Sequence, residues 1–425
     1  MKISKSELTT GLISCLLVIL AASGSIYYLY PNAIKLLFQT AFLFITIIPL
    51  LSPERLTKVP RIAFPVVMMM FLALYRNHYL SSKLEIVFPL LYVEIVLFLW
   101  LSRYQNSTWI DKTVNGLYYV YLFYAIYTIG MFFIPQLFQI TLSLFPSKSE
   151  TLTFQYNNGC MPGLTNHYST NGMLVGMGCV ISGCLMIYYK SNKYRKFIFA
   201  VFVVALLLTG KRGHIIFSAI AIFIGYYIFM SNKKKSRLIN TVCILLLVLV
   251  ILWFISNYVP ALAVFINRFA DAAETGDVTL GRVNAWDIAW ETFKKNPLLG
   301  VGWSNYILIG YKGYNAHNIY LQILSETGIV GTVLYISFFI YHLTTTIKKL
   351  KYVRKSTDGN SKVSLYLMLS LSIQIFFLLY GFTGNPLYDK EMYIPYFVAC
   401  SISGYYSFSK LKKVSESETG NYHTL

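Results

Sequence analysis

About twelve runs of mostly apolar residues follow one another along this chain, and they constrain its fold more than any other feature. Lipid offers the backbone no hydrogen-bond partners, so a run of about 20 such residues must cross as a helix that satisfies its own peptide groups. The runs fall at 9–30, 33–51, 62–80, 84–101, 113–134, 171–189, 197–208, 213–230, 240–258, 328–346, 363–380 and 393–408; the seventh is the shortest. Composition points the same way. With 56% hydrophobic and 12% charged residues, the chain has too little polar surface to cover itself in water. The expected fold class is an all-α polytopic membrane protein of about twelve transmembrane helices, forming a single integral membrane domain over 1–425. The first run follows Lys2 and Lys5, exceeds a signal-peptide core in length and lacks an A-x-A site, so it reads as an uncleaved signal anchor.

The chain carries 36 Lys+Arg against 17 Asp+Glu, a net charge of +19. In a soluble protein that excess would suggest nucleic acid; in a membrane protein it first means basic loops that fix orientation, and no nucleic-acid partner is expected. The clusters Lys190-Lys193-Arg195-Lys196, Lys233-Lys234-Lys235-Arg237 and Lys348-Lys349-Lys351-Arg354-Lys355 all fall on one side if both termini are cytoplasmic. The expectation is therefore a multi-pass protein of the bacterial cytoplasmic membrane. Two long loops then lie outside, at 135–169 and 259–327. A structureless loop of the second length is unusual, so it should be helical and functional. The tail at 414–425 is polar and expected to be disordered in the cytoplasm.

The chain contains no G-x-x-x-x-G-K-[ST], and Gly300-Val301-Gly302 does not complete a G-x-G-x-x-G, so neither a P-loop nor a Rossmann site is supported. The histidines at 78, 167, 214, 317, 342 and 423 are scattered without an H-E-x-x-H, and no metal or other cofactor is expected. Five of six cysteines fall in apolar runs and only Cys160 in a polar loop, which argues against a structural disulfide.

The long loop at 259–327 carries the chemistry-bearing residues. From Val283 through Lys295 the pattern is helical, with Trp286, Ala289, Trp290 and Phe293 on one face and Asp287, Glu291 and Lys294 on the other. Such a helix can lie on the membrane surface with its tryptophans at headgroup level and Arg282 beside a lipid phosphate, or it can simply pack against the loop. His317 is flanked by small and polar residues. An imidazole can take a proton from an attacking hydroxyl near neutral pH, or hydrogen-bond at the start of the next helix. Arg212, in Thr209-Gly210-Lys211-Arg212-Gly213-His214, sits at a span end, where it either snorkels to the interface or meets an anion. Arg76 raises the same question, and Glu94 is a further costly intramembrane residue.

Taken in order, Gly281-Arg282-x-x-x-Trp286, Asn296-Pro297-Leu298-Leu299-Gly300-Val301-Gly302 and Ala316-His317-Asn318-x-x-Leu321-Gln322-x-x-x-Glu326-x-Gly328-x-x-Gly331 resemble the signature of the O-antigen ligase and Wzy polymerase superfamily. Lys211-Arg212-Gly213 resembles its upstream arginine-glycine element, and Gly163-Leu164-x-x-His167 does so more loosely. Lys211 departs from the small polar residue frequent there. The resemblance implies a GT-C-like, metal- and nucleotide-independent inverting glycosyltransferase with a long helical extracytoplasmic loop, acting on the outer membrane face. Its donor and acceptor would be undecaprenyl-pyrophosphate-linked glycans. Polymerases join repeat units into O-antigen, capsule or exopolysaccharide; ligases move the finished chain to a lipopolysaccharide core. Carried over, Arg212 and Arg282 would neutralise the pyrophosphate and His317 would act as base or orienting group. Lys211, Arg76, His167, Trp286 and Asn318 would contact substrate. Membrane lipids, a chain-length regulator and a flippase are the partners it implies. Polymerisation is favoured as the broader outcome, with ligation as the alternative. A transporter is disfavoured because the halves show no repeat and the polar residues gather in loops rather than at the midplane. A scaffold would leave the arginines and histidine unexplained.

Overall fold

The computed structural model describes residues 5–22, 25, 29, 107–229, 282–310, 313–356 and 361–412. Among the described residues all regular structure is helical. The elements are α1 (Lys5–Ala22), α2 (Thr108–Phe133), α3 (Pro135–Leu144), a 3-10 turn (Pro146–Lys148), α4 (Ser149–Asn157), α5 (Tyr168–Tyr188), α6 (Lys193–Leu208), α7 (Arg212–Phe229), α8 (Val283–Lys295), α9 (Tyr306–Ile309), α10 (Ile319–Ser356), α11 (Lys362–Tyr380) and α12 (Lys390–Tyr405).

Eight of the expected apolar runs fall on described residues, and each is a helix. Five helices, α2, α5, α7, α10 and α11, are long and apolar enough to cross a membrane; the apolar part of α1 and the 16-residue α6 and α12 are shorter. The runs at 33–51, 62–80, 84–101 and 240–258, with Arg76 and Glu94, lie outside the described residues, as does the tail at 414–425. The structure thus supports a helical membrane protein without establishing twelve spans.

The core runs through α5, α11 and α12. In α5 and α11, 83% of the apolar window is buried, against 39% in α2 and 28% in α7, so the first pair forms the interior and the second faces outward. Small residues allow this packing. A Cβ on Gly178 of α5 would meet the Phe202 ring at 2.2 Å, and one on Gly225 of α7 would meet the Ser372 hydroxyl at 2.1 Å. A polar seam ties α10, α11 and α12 together. Gln374 Nε2 donates to Thr346 Oγ1 at 2.9 Å, Thr346 Oγ1 donates to Ser403 Oγ at 2.8 Å, and Ser370 Oγ donates to the Ala399 carbonyl at 2.6 Å. Where apolar surface surrounds every helix, such bonds fix pairing and register better than hydrophobicity does.

The helix directions place the C-terminal ends of α2, α6 and α11 beside the N-terminal ends of α5, α7, α10 and α12. The segment at 135–169, expected as an outer loop, covers part of this end with two short helices. Pro135 opens α3 at its first position, where its missing N–H costs nothing. The Phe138 and Tyr156 rings stack at 4.0 Å, Thr141 Oγ1 donates to the Gly163 carbonyl, and Met161 N donates to the Leu208 carbonyl.

Candidate active site at the loop-bearing end

The α8 helix is packed on α10 along a stripe of small residues at one edge of its aromatic face. Ala285, Ala289 and Thr292 are the buried positions, whereas Trp290 is 47% exposed. Small residues permit the close approach that the tryptophans would block. Trp286 is half-buried, and its indole N–H donates to the Ala316 carbonyl at 3.0 Å. Its observed contact therefore supports the loop before His317.

The next stretch is a lock between a turn and a broken helix. α10 is interrupted at Gly328, where φ is 62° and ψ is −165°. The backbone there pairs with the turn after α8: Val301 N donates to Ser325 O, Gly302 N to Glu326 O, Ile329 N to Pro297 O and Val330 N to Leu298 O, at 2.8 to 3.2 Å. Groups freed by the break are thus satisfied by the turn. Two glycines make this possible. Gly300 has φ 65°, and a Cβ on it would lie 2.3 Å from the Glu326 carbonyl carbon; one on Gly328 would lie 2.3 Å from Leu298 O. The glycines of the two motifs therefore meet as mating surfaces.

Glu326 extends the lock toward the site. It is fully buried, and Oε1 accepts from Tyr306 N at 3.1 Å and from Gln322 Nε2 at 3.2 Å, while its other oxygen accepts from the Tyr388 hydroxyl. Gln322 Nε2 also donates to Asn315 Oδ1 at 3.0 Å, and Gln322 Oε1 accepts from Ala316 N at 3.1 Å. A buried carboxylate is costly without such partners, so its role is to hold several segments together. Asn318 Oδ1 accepts from Tyr320 N and Leu321 N, capping α10. The helix cap conceivable for His317 is therefore made by its neighbour. His317 itself has φ 51°, a left-handed conformation that ordinary residues keep only when their surroundings impose it.

Four of the candidate residues converge electrostatically: Arg282, His317, Lys211 and His167. Arg282 Nη1 donates to the Thr383 carbonyl at 3.0 Å, tying the start of α8 to the α11–α12 turn. His317 presents surface to solvent, yet its imidazole is pushed down to about 4, first by the surrounding protein and then by Arg282 and Lys211. His167 is likewise pushed down to about 4, by burial, then Lys211, Lys148 and His317. Both imidazoles are therefore neutral at pH 7. His167 also opens α5, with Nδ1 accepting from Ser169 N at 3.1 Å, which assigns the proton of the neutral ring to Nε2. Lys211 Nζ lies 4.4 Å over the Tyr168 ring.

Arg212 is the half-buried first residue of α7, beside Lys211. Burial and Glu391 raise the Asp389 carboxyl well above its ordinary range, with Lys211 opposing. Gln322 and Glu326 stood in the sequence motif without an assigned role, and Lys148, Tyr388 and Thr383 were not singled out by the sequence. Glu326 is an acid at the edge of an apolar run, four residues from its partner Gln322, whereas Tyr388 and Thr383 act through partners distant in sequence. Among the described residues no group of His, Cys, Asp and Glu has the arrangement to hold a metal ion.

Comparison with known proteins adds one finding. Residues 197–336 match a family model described as O-antigen ligase, consistent with the O-antigen ligase and Wzy superfamily. Arg212, Arg282 and His317 all fall within the match; His167 and the α11–α12 turn do not. No curated protein matches the chain.

Proposed function

We propose that this protein transfers a glycan from undecaprenyl pyrophosphate to a sugar hydroxyl, polymerising lipid-linked repeat units into surface polysaccharide on the outer face of the cytoplasmic membrane. The observation that carries this reading is the convergence of Arg282, Lys211, His167 and His317 at one helix-bundle end, within or beside the matched segment. The orientation has its own support. The basic stretches beginning α6 and ending α10 lie at the end opposite the candidate site, as the positive-inside rule requires of a site facing outward.

The acceptor oxygen attacks the anomeric carbon as the bond to the pyrophosphate oxygen breaks, and the pyrophosphate leaves with the electron pair. Negative charge develops on that leaving group. Guanidinium forks stabilise phosphate oxygens bidentately, and more strongly where water is thin, so Arg282 and Arg212 are placed in this role with Lys211 beside them. His317, neutral at pH 7 because of its surroundings, receives or orients the acceptor proton. Trp286 and Gln322 hold the backbone of Ala316 before it and the Asn318 cap holds the start of α10 after it, so their contribution is to position the imidazole.

The test is a strain lacking the protein, complemented with His317→Ala or Arg282→Ala. At normal protein levels, both variants should fail to restore polymer length; full-length polysaccharide overturns the assignment. What accumulates identifies the finer reaction. Single repeat units mark a polymerase, and long lipid-linked chains mark the ligase named by the matched family.

A further inference from the structure

The turn between α11 and α12 lies outside the matched segment and carries none of the motif residues, yet the site elements meet on it. Gly381 O accepts from Ile319 N at the start of α10, two residues after His317. Thr383 O accepts from Arg282. A Cβ on Gly213, beside Arg212, would lie 3.6 Å from Thr383 Oγ1. Tyr388 donates to Glu326 and stacks on Trp303 at 5.5 Å. The turn is thus held by the segments bearing all three proposed catalytic residues.

Asn385 sits in this turn. Its backbone carbonyl accepts from Tyr388 N at 2.9 Å, but its side-chain Oδ1 and Nδ2 are buried and have no hydrogen-bond partner. The residue is 5% exposed, and among the described residues it is the one amide side chain whose oxygen and nitrogen are both unmet. Buried amides are ordinarily satisfied, and one left unmet weakens a fold. Asn385 is two residues from the carbonyl that holds Arg282, roughly 7 Å of extended chain at most. A sugar beside a pyrophosphate held by Arg282 falls within that reach.

We propose that the α11–α12 turn is a further wall of the site and that Asn385 binds the sugar nearest the donor pyrophosphate, its amide donating to one hydroxyl and accepting from another. This rests on the glycosyl-transfer reading above. A neutral amide suits a sugar because it matches paired hydroxyls, while the neighbouring cations address phosphate.

The experiment compares Asn385→Leu and Asn385→Ser with wild type, Arg282→Ala and His317→Ala, all as full-length protein in nanodiscs. It measures thermal melting without substrate and transfer from a lipid-pyrophosphate-linked repeat unit. Asn385→Leu replaces an unmet amide with an apolar group of similar volume, so it should melt at or above the wild-type temperature while KM for the donor rises about tenfold or more, as the loss of both hydrogen bonds to the sugar requires. Asn385→Ser should show the same rise at unchanged melting. Wild-type kinetics in either variant overturn the proposal, as does earlier melting of both, which would reveal a structural partner for the amide. If Arg282→Ala and His317→Ala lose transfer but the Asn385 variants do not, only this inference falls. If none of the four loses transfer, the reading of the reaction falls with it.

Discussion

The two ends of the helix bundle use basic side chains in opposite ways. At the end where α6 and α11 begin, cations rest on satisfied partners: Lys362 pairs with Asp111 at 2.5 Å, Arg195 lies 5.1 Å over the Tyr118 ring, and Arg354 donates to the Ile228 carbonyl. At the end where those helices finish, Lys211 acts on both His167 and His317, and Arg282 adds to the effect on His317. The first arrangement is what orientation and packing require. The second concentrates positive potential which, added to burial, keeps both imidazoles neutral, the arrangement that the proposed transfer calls for.

Substitutions at the two ends should therefore separate sharply. The largest expected effect is on His317→Ala and Arg282→Ala, with transfer falling about 10²- to 10⁴-fold and little change in melting. Equal losses from Lys362→Ala would erase the distinction between the ends. Next comes the lock. Gly300→Ala forces a Cβ to 2.3 Å from Glu326 and requires a left-handed alanine, so it should destabilise by about 1–2 kcal/mol or more and lower the melting temperature together with transfer. Glu326→Ala should cost about 1–3 kcal/mol by stranding Tyr306 N and Gln322.

A subtler effect falls on pH dependence. The Lys211 cation disfavours the imidazolium of His317, so Lys211→Gln should move the acid limb of the remaining activity upward from about 4, toward the ordinary histidine value. A downward shift would show that Lys211 acts on another group. The smallest effect is expected for Lys362→Ala, whose partner lies at a partly exposed surface: about 0.5 kcal/mol in melting and unchanged transfer.

Much of this contrast was legible in the sequence. Apolar length identified helices wherever the expected spans fall on described residues, because crossing lipid leaves a chain little choice. Arg212, Arg282 and His317 left bland alternatives open when taken singly, and it is the order of their motifs, through the resemblance to the O-antigen ligase and Wzy superfamily, that points to a shared role. The buried side of α8 was legible only in part. Periodicity grouped Ala289 with Trp286 and Trp290, whereas packing buries Ala289 with Ala285 and Thr292 and leaves Trp290 exposed, a choice that depends on the partner's shape. The roles of Gly300 and Gly328 were hidden for a similar reason: each is required by the backbone of the other's segment. Asn385 offered no pattern at all, since its interest arises from what surrounds it after folding.

The contacts of the α11–α12 turn also limit how the protein can be divided. Residues 197–336 carry the recognisable signature, but Arg282 grips a carbonyl at 383, Glu326 is bonded by a tyrosine at 388, and His167 enters from α5. A graft or truncation bounded by the signature would leave its arginine, its buried acid and its histidine without the neighbours that fix their geometry. For any chimera between relatives, the workable exchange unit must therefore run from the segment before α5 through the start of α12.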